Sequence, residues 1–337
     1  MMTVSDFRIV MTKTPLRITF TGGSSDFPQF YRKYGPGAVV SAAINRYIYV
    51  TVARNFYAGE YRISYSKTEN AIKNLEDIEH PTVREALRLL DIKGGIQIIS
   101  ITEIPSRGTG LGSSSSFIVG LLLALHTWLG ETVSAETLAS EAFKIEREIL
   151  NEPGGKQDQY MAAYGGINLL QFNADDTSIV KPIILKKEDR KNLERNLLMF
   201  YTGKERSSGT IHNGQIKKIE EHLDKYKRMR DLAFETYNTI SKMDLELLGK
   251  LMEENWLLKK QLSNEISDTF IDDMYNSAKN AGALGGKLMG AGGGGFMLFL
   301  ASPEKHQKIF ETLRNYSREP FRIDPFGARI AYVEDYQ

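Results

Sequence analysis

The sequence predicts an α+β protein built from two domains. Three observations carry that expectation. Segments rich in Ile, Val, Tyr and Thr recur through the first hundred residues, a mainly helical pattern fills 207–283, and between them a Gly/Ser run leads straight into an apolar helix. With 337 residues, 42% hydrophobic content and 25% charge, the chain can bury a large core. The stretch 186–196, dense in Lys, Glu, Asp and Arg, is the expected boundary, dividing the chain into domains 1–190 and 191–337.

In order, residues 7–20 and 38–54 read as strands, and 60–66 and 94–102 look similar. Gly/Ser breaks and a short helix near 82–91 separate them. Helices are predicted over 114–129 and 134–150, the second with Ser134 as its N-cap. Along that second helix Ala139, Phe143 and Leu150 share an apolar stripe, and the missing member of the stripe is Glu146. A buried acid needs a partner. After Glu152-Pro-Gly-Gly155 a short helix runs over 157–164, with Asp158 in its first turn and Gly165-Gly166 as its stop. Strands near 167–172, 179–185 and 196–202 follow. Beyond the helical region come a glycine run, a strand at 296–301, a helix at 303–316 and a last strand at 328–334.

The run Pro105-Ser-Arg-Gly-Thr-Gly-Leu-Gly-Ser-Ser-Ser-Ser116 has the composition of a phosphate cradle. Glycines let backbone N–H groups approach an anion, serines add hydroxyl donors, and the following helix aims its positive end at the same spot. A plain Gly/Ser linker is the competing reading, but linkers rarely enter nine residues without a polar side chain. No lysine follows the glycines, so this is not a P-loop, and no H-R-D-L or D-F-G triplet occurs. The second run, Gly290-Ala-Gly-Gly-Gly-Gly295, matches G-x-G-x-x-G but precedes a strand instead of following one.

Composition excludes several classes. The net charge of +1 gives no global field for nucleic acid or an anionic membrane. The absence of cysteine removes disulfides and thiolate chemistry and agrees with a reducing, cytoplasmic setting. Five histidines give no metal spacing.

Four segments together resemble the GHMP small-molecule kinase superfamily: Pro15 to Asp26, Pro105 to Ser116, Gly155-Lys-Gln-Asp-Gln159, and Lys287 to Phe296. The resemblance implies a two-domain GHMP kinase fold, with an N-terminal ribosomal-protein-like α/β domain, a C-terminal ferredoxin-like α/β domain, and the active site in the cleft between them. It implies that Asp158 accepts the proton of the substrate hydroxyl and that Arg17 faces it and stabilises transition-state charge. ATP would lie along Pro105, Arg107, Gly108, Gly110, Leu111, Gly112, Ser113, Ser114 and Ser115. Ser114 and Glu146 would hold Mg²⁺ against its phosphates.

Gly23, Ser24, Ser25 and Asp26 would grip the acceptor, Asp26 resembling the acid that sugar kinases use on vicinal hydroxyls, and Gly292 and Gly293 would close over it. The first motif looks closest to the branch that phosphorylates the anomeric hydroxyl of D-glycero-D-manno-heptose 7-phosphate, although Ser24-Ser25 stands where that branch usually has Gly-Thr. Lys204, Arg206 and Ser207 are the expected holders of a distal phosphate, against the reading of a solvated loop. Such a kinase would supply GDP-heptose for capsule or lipopolysaccharide. Its partner is a sugar phosphate, with neither nucleic acid nor membrane, and a homodimer is the assembly to look for. The alternatives are an anomeric kinase for another sugar, such as L-fucose, and a non-catalytic ATP and sugar sensor of the same fold.

Overall fold

The β-branched and aromatic stretches near the N-terminus do form strands, and their length determines the architecture. The structure, a computed structural model, describes residues 7–105, 108–205 and 208–335. It begins with β1 (Phe7–Thr21), α1 (Pro28–Tyr34), β2 (Gly37–Arg54), β3 (Tyr61–Ser64) and β4 (Thr68–Ile72), then α2 (Pro81–Leu89) and β5 (Ile96–Thr102). Next come α3 (Ser113–Trp128), α4 (Ala135–Phe143), a π-helical turn Lys144–Ile149, α5 (Gln157–Tyr164), β6 (Ile167–Phe172) and β7 (Ser178–Pro182). The remainder is α6 (Lys187–Asn196), β8 (Leu197–Tyr201), α7 (Ser208–Lys217), α8 (Leu223–Ser241), α9 (Leu245–Lys260), α10 (Thr269–Ala281), β9 (Gly285–Leu288), β10 (Phe296–Leu300), α11 (His306–Thr312), β11 (Ser317–Arg318) and β12 (Arg329–Asp335).

Because β2 is 18 residues long, it serves two neighbours on one edge. Its second half pairs with β5, Ile48 opposite Thr102, and its first half with β6, Gly37 opposite Phe172. The resulting sheet runs β12-β1-β2-β5-β3-β4, with the β6–β7 hairpin attached to β2. A second, antiparallel sheet is ordered β11-β8-β10-β9. The last strand does not stay with the second half of the chain: β12 returns to the first sheet, with Val10 opposite Val333.

Helix α3 is apolar all round and is buried against β1 and β2. Gly120 brings it close, since a Cβ there would lie 2.5 Å from Thr14 Oγ1, and Thr12 donates to the Gly120 carbonyl at 2.9 Å. This seat fixes the N-terminus of α3, and hence its serines, over the end of β1. From the other side, Thr21 donates to Thr236 of α8 at 2.9 Å, and Asn255 of α9 accepts from the Gly22 amide at 2.8 Å.

Several elements differ from expectation. Helix α1 was unexpected, although Pro28 at its start is a helix signal. The charged stretch at 187–196 is helix α6, with Glu188 and Asp189 in its first turn and Leu193 buried. Strand β9 is hidden by its two glycines. The helix expected over 303–316 contracts to α11, and β11 takes the following residues. Among the described residues, no helix is long and apolar enough to cross a membrane.

Candidate active site

The cleft is assembled from the phosphate-loop glycines, the first turn of α3, the first turn of α5 and the glycine run before β10. It encloses a cavity of about 780 Å³, within the range of small-molecule sites. Gly112 adopts a left-handed conformation at the start of α3. The amides of the next residues have no acceptor within the helix, so they and the helix dipole face the cavity edge where Ser113 and Ser114 lie. Two glycine runs meet here. A Cβ on Gly110 would lie 2.5 Å from the Met289 carbonyl, and one on Gly290 2.5 Å from Gly110 Cα. Only glycine permits that approach, so the 290–295 run is a packing surface for the phosphate loop, not a loose hinge.

Arg17 projects from β1 into this junction. Its Nε donates to Asp158 Oδ1 at 2.7 Å and its Nη2 to Oδ2 at 2.9 Å, while Nη1 donates to the Gly110 carbonyl. One planar guanidinium thus fixes the carboxylate of α5 relative to the phosphate loop. Its own backbone amide donates to the Leu111 carbonyl at 3.0 Å, which anchors the loop again.

Glu146 is 1% exposed. Its Oε1 accepts from Ser114 at 2.7 Å, and its Oε2 accepts from Ser115 at 2.7 Å and from Gln159 at 2.5 Å. Arg147, the next residue along the chain, also turns toward it: its Nη2 comes within 3.9 Å of Glu146 Oε2. The cause is the π-helical turn at 144–149, which changes the angular offset between neighbours and is a common device at functional sites. Ser115 gives its hydroxyl to this cluster, not to the open cavity. The donor chemistry suits Mg²⁺: an all-oxygen pair, Ser114 and Glu146, on the wall of a cavity that leaves room for phosphate and water. The orphaned, buried Gln159 Oε1 beside it is an acceptor for such a water.

Asp26 lines the cavity yet is itself clamped. Its Oδ1 accepts from the Ser24 amide at 3.0 Å and its Oδ2 from the Gln157 amide at 3.1 Å, at the N-terminus of α5. Burial pushes its carboxyl up, and the Gln157 amide pulls it back. Ser24 holds a left-handed backbone, φ 81°, at the position where the resembling branch has glycine, and its hydroxyl donates to Gln215 at 3.0 Å.

Several expected contacts are not made. Ser25 is buried and its hydroxyl is directed to the Gly22 and Ala38 carbonyls, away from the cavity. Gly23 and Gly292 line the cavity, whereas the Gly293 amide donates to the Ile266 carbonyl at 2.8 Å. Lys204 turns to Asp268 at 2.6 Å and sits over the Phe270 ring, so it is not on the cavity wall. Pro105 is exposed and off the wall. Arg107, Arg206 and Ser207 lie outside the described residues.

Among the wall residues that sequence reasoning missed are two lysines and a histidine. Lys259 and Lys287 are buried in the cleft, and burial, with Arg17 next, draws the Lys259 ammonium down to about 8. Met252, Trp256 and Lys259 share one apolar face of α9 at i, i+4 and i+7, the same signal that singles out Glu146. The histidine is His212. Its Nδ1 donates to the Pro153 carbonyl at 3.0 Å, its ring packs edge-on to Phe27, and burial lowers its pKa to about 4, so the imidazole is neutral.

Family models for the GHMP kinases match this chain twice, the N-terminal domain over residues 73–166 and the C-terminal domain over 238–318. Mevalonate kinase of Pyrococcus horikoshii is 30% identical over 261 residues, which cover 74% of this chain and 72% of that protein. The chain is a GHMP kinase. Among its relatives, D-glycero-alpha-D-manno-heptose 7-phosphate kinase of Campylobacter jejuni is 28% identical over 91% of this chain and 94% of that protein. A solved structure described as a D-glycero-D-manno-heptose 1-phosphate kinase of Bacteroides thetaiotaomicron superposes with a TM-score of 0.80 at 26% identity. It covers 96% of this chain and 99% of its own. The two domains of this GHMP kinase therefore have the expected fold, and its two glycine runs meet at one cleft.

Proposed function

We propose that this GHMP kinase transfers the γ-phosphoryl group of ATP to the anomeric hydroxyl of D-glycero-D-manno-heptose 7-phosphate, giving the 1,7-bisphosphate. One observation carries the chemistry: the Asp158 carboxylate is fixed to the phosphate loop by a single guanidinium, Arg17. A base and a phosphate cradle held in register are what in-line phosphoryl transfer requires. The two heptose phosphate kinases among the relatives support the sugar, and their names agree on a heptose that carries phosphate.

In the step, the anomeric oxygen bonds to the γ-phosphorus, the bond to the ADP oxygen breaks, and the hydroxyl proton passes to Asp158. The anomeric hydroxyl is acidic for an alcohol because the ring oxygen withdraws charge, so one carboxylate suffices. Arg17, which holds Asp158, stabilises charge on the transferring group. Ser114 and Glu146 would hold Mg²⁺, which neutralises the phosphate oxygens when bound. The product is the activated form from which a nucleotide-linked heptose, such as GDP-heptose, is made in the cytoplasm for surface polysaccharide.

The test is ADP release against a panel of free sugars and sugar phosphates. Turnover restricted to L-fucose would move the reading to another anomeric kinase. A flat response across the panel would leave a sensor.

A further inference from the structure

Lys259 and Lys287 take no part in the transfer step above, yet both side chains are buried and line the cleft. Lys259 is 4% exposed and Lys287 2%. Other cationic side chains nearby are given carboxylates: Lys204 meets Asp268 at 2.6 Å, Lys260 meets Asp272 at 2.9 Å and Arg17 meets Asp158. Among the described residues, neither Lys259 nor Lys287 lies within ion-pair distance of one. Among the described residues, Lys259 donates only to the Gly290 carbonyl, and the Lys287 side chain donates to none. An unpaired buried charge is expensive, and a protein keeps one where something else completes it.

Their position gives the end of the cleft they serve. Asn255, one turn before Lys259 on the same face of α9, holds the Gly22 amide at 2.8 Å, and Lys259 itself holds the glycine run at Gly290. The Asn255–Lys259 turn of α9 therefore ties the loop that carries Asp26 to the glycine run that packs on the phosphate loop. Lys287 lies on β9, opposite Leu298 of β10. Both lysines line the same cavity wall as Arg17, Asp26 and Asp158, and the Asp26 carboxylate acts on both ammonium groups. The pair thus shares the cleft with Asp26, the acid expected to grip the acceptor, and is tied through Asn255 to the loop that carries it.

We propose that Lys259 and Lys287 form a subsite for an oxyanion carried by the acceptor, a phosphate monoester on the sugar, so that the enzyme selects a phosphorylated sugar over its unphosphorylated parent. The inference rests on the sugar kinase reading above. A bound phosphate supplies the countercharge that the fold omits, and it keeps both ammonium groups protonated against the pull of burial. The other source of the same chemistry is the γ-phosphate of ATP, and the two are separable by experiment.

The experiment uses the full chain and the variants Lys259→Met, Lys287→Met and Lys259→Arg. Methionine matches the length of lysine and removes a buried charge, so melting temperatures should hold or rise. The readouts are kcat and KM for heptose 7-phosphate and for the parent heptose, KM for ATP, and calorimetric binding of heptose 7-phosphate without ATP. Each Met variant should weaken binding of the sugar phosphate and raise its KM about 10- to 100-fold, the size of a lost charged contact. The preference over the parent sugar should shrink equally, ATP KM should stay within about twofold, and Lys259→Arg should keep most of the preference.

An unchanged preference in both folded Met variants would overturn the subsite, and so would an equal rise in ATP KM. A wild-type enzyme that uses the parent heptose as well as the phosphate overturns the subsite but not the sugar kinase reading. No turnover of any sugar overturns that reading, and calorimetry then still decides the subsite.

Discussion

Gly155 offers the sharpest structural test of how the Asp26 loop and helix α5 are joined. A Cβ built on Gly155 would lie 1.9 Å from Asp26 Oδ2 and 2.3 Å from its Cγ, both far inside contact distance. Asp26 cannot swing away cheaply, because it is buried and accepts two backbone amides, from Ser24 and Gln157. Gly155 has no positive φ, so alanine there meets a steric obstacle alone. Gly155→Ala must therefore break at least one charged hydrogen bond or displace residues 155–158, at a cost of about 2–3 kcal/mol. For a chain of this size that is a fall in melting temperature of roughly 5 °C.

Moving Asp158 by about 1 Å should lower kcat about 100-fold. Thermal unfolding and ADP release read the two effects. The double variant Gly155→Ala, Asp26→Ala removes the obstacle, so its stability should exceed the sum of the single losses by about 1 kcal/mol or more. A Gly155→Ala protein with wild-type melting and activity within twofold would refute the clamp.

Other outcomes follow from the same geometry. Asp158→Asn should fold and bind ATP but lose about 1,000-fold or more in kcat; full activity there would remove the base. Glu146→Gln should lower activity and weaken its dependence on added Mg²⁺, while Ser114→Ala leaves Ser115 and Gln159 on the carboxylate and is the milder change; equal, wild-type dependence in both would exclude the site. Lys204→Met should leave KM for the sugar phosphate within twofold, since Lys204 faces Asp268; a tenfold rise would return it to the cleft. His126 lies between Glu141 at 2.8 Å and Glu131 at 2.7 Å, and these partners raise its pKa. That stabilisation is full below the unfolded value near 6.5 and is lost as pH rises through the raised folded value. His126→Gln should accordingly cost more stability at pH 5.5 than at pH 9, measured by denaturant unfolding; an equal cost would discount the ion pairs.

The parts of the site legible in the sequence are those where a local rule is broken. Glu146 interrupts an apolar stripe, Asp158 opens a short helix between glycine breaks, and the serines follow glycines into an apolar helix. Each has its cause in the fold: Glu146 is satisfied by Ser114, Ser115 and Gln159, and Asp158 by Arg17. Partnerships between distant segments were not legible. Lys204 sits in a promising basic loop, but its partner Asp268 lies 64 residues away. Asp26 reads as a sugar grip and is also the clamp on α5, a role set by the packing of Gly155 against it. The charge-dense stretch at 187–196 reads as a linker because one buried Leu193 is too little to reveal a face.

The proposed reaction has Asp158, held in register with the phosphate loop by Arg17, direct phosphate to an anomeric oxygen. The most direct measurement is phosphorus NMR of the product formed from ATP and D-glycero-D-manno-heptose 7-phosphate. A second phosphate resonance coupled to the anomeric proton is expected, absent with Asp158→Asn. Phosphate on any other carbon, or the same product from the Asp158→Asn protein at wild-type rate, would contradict it.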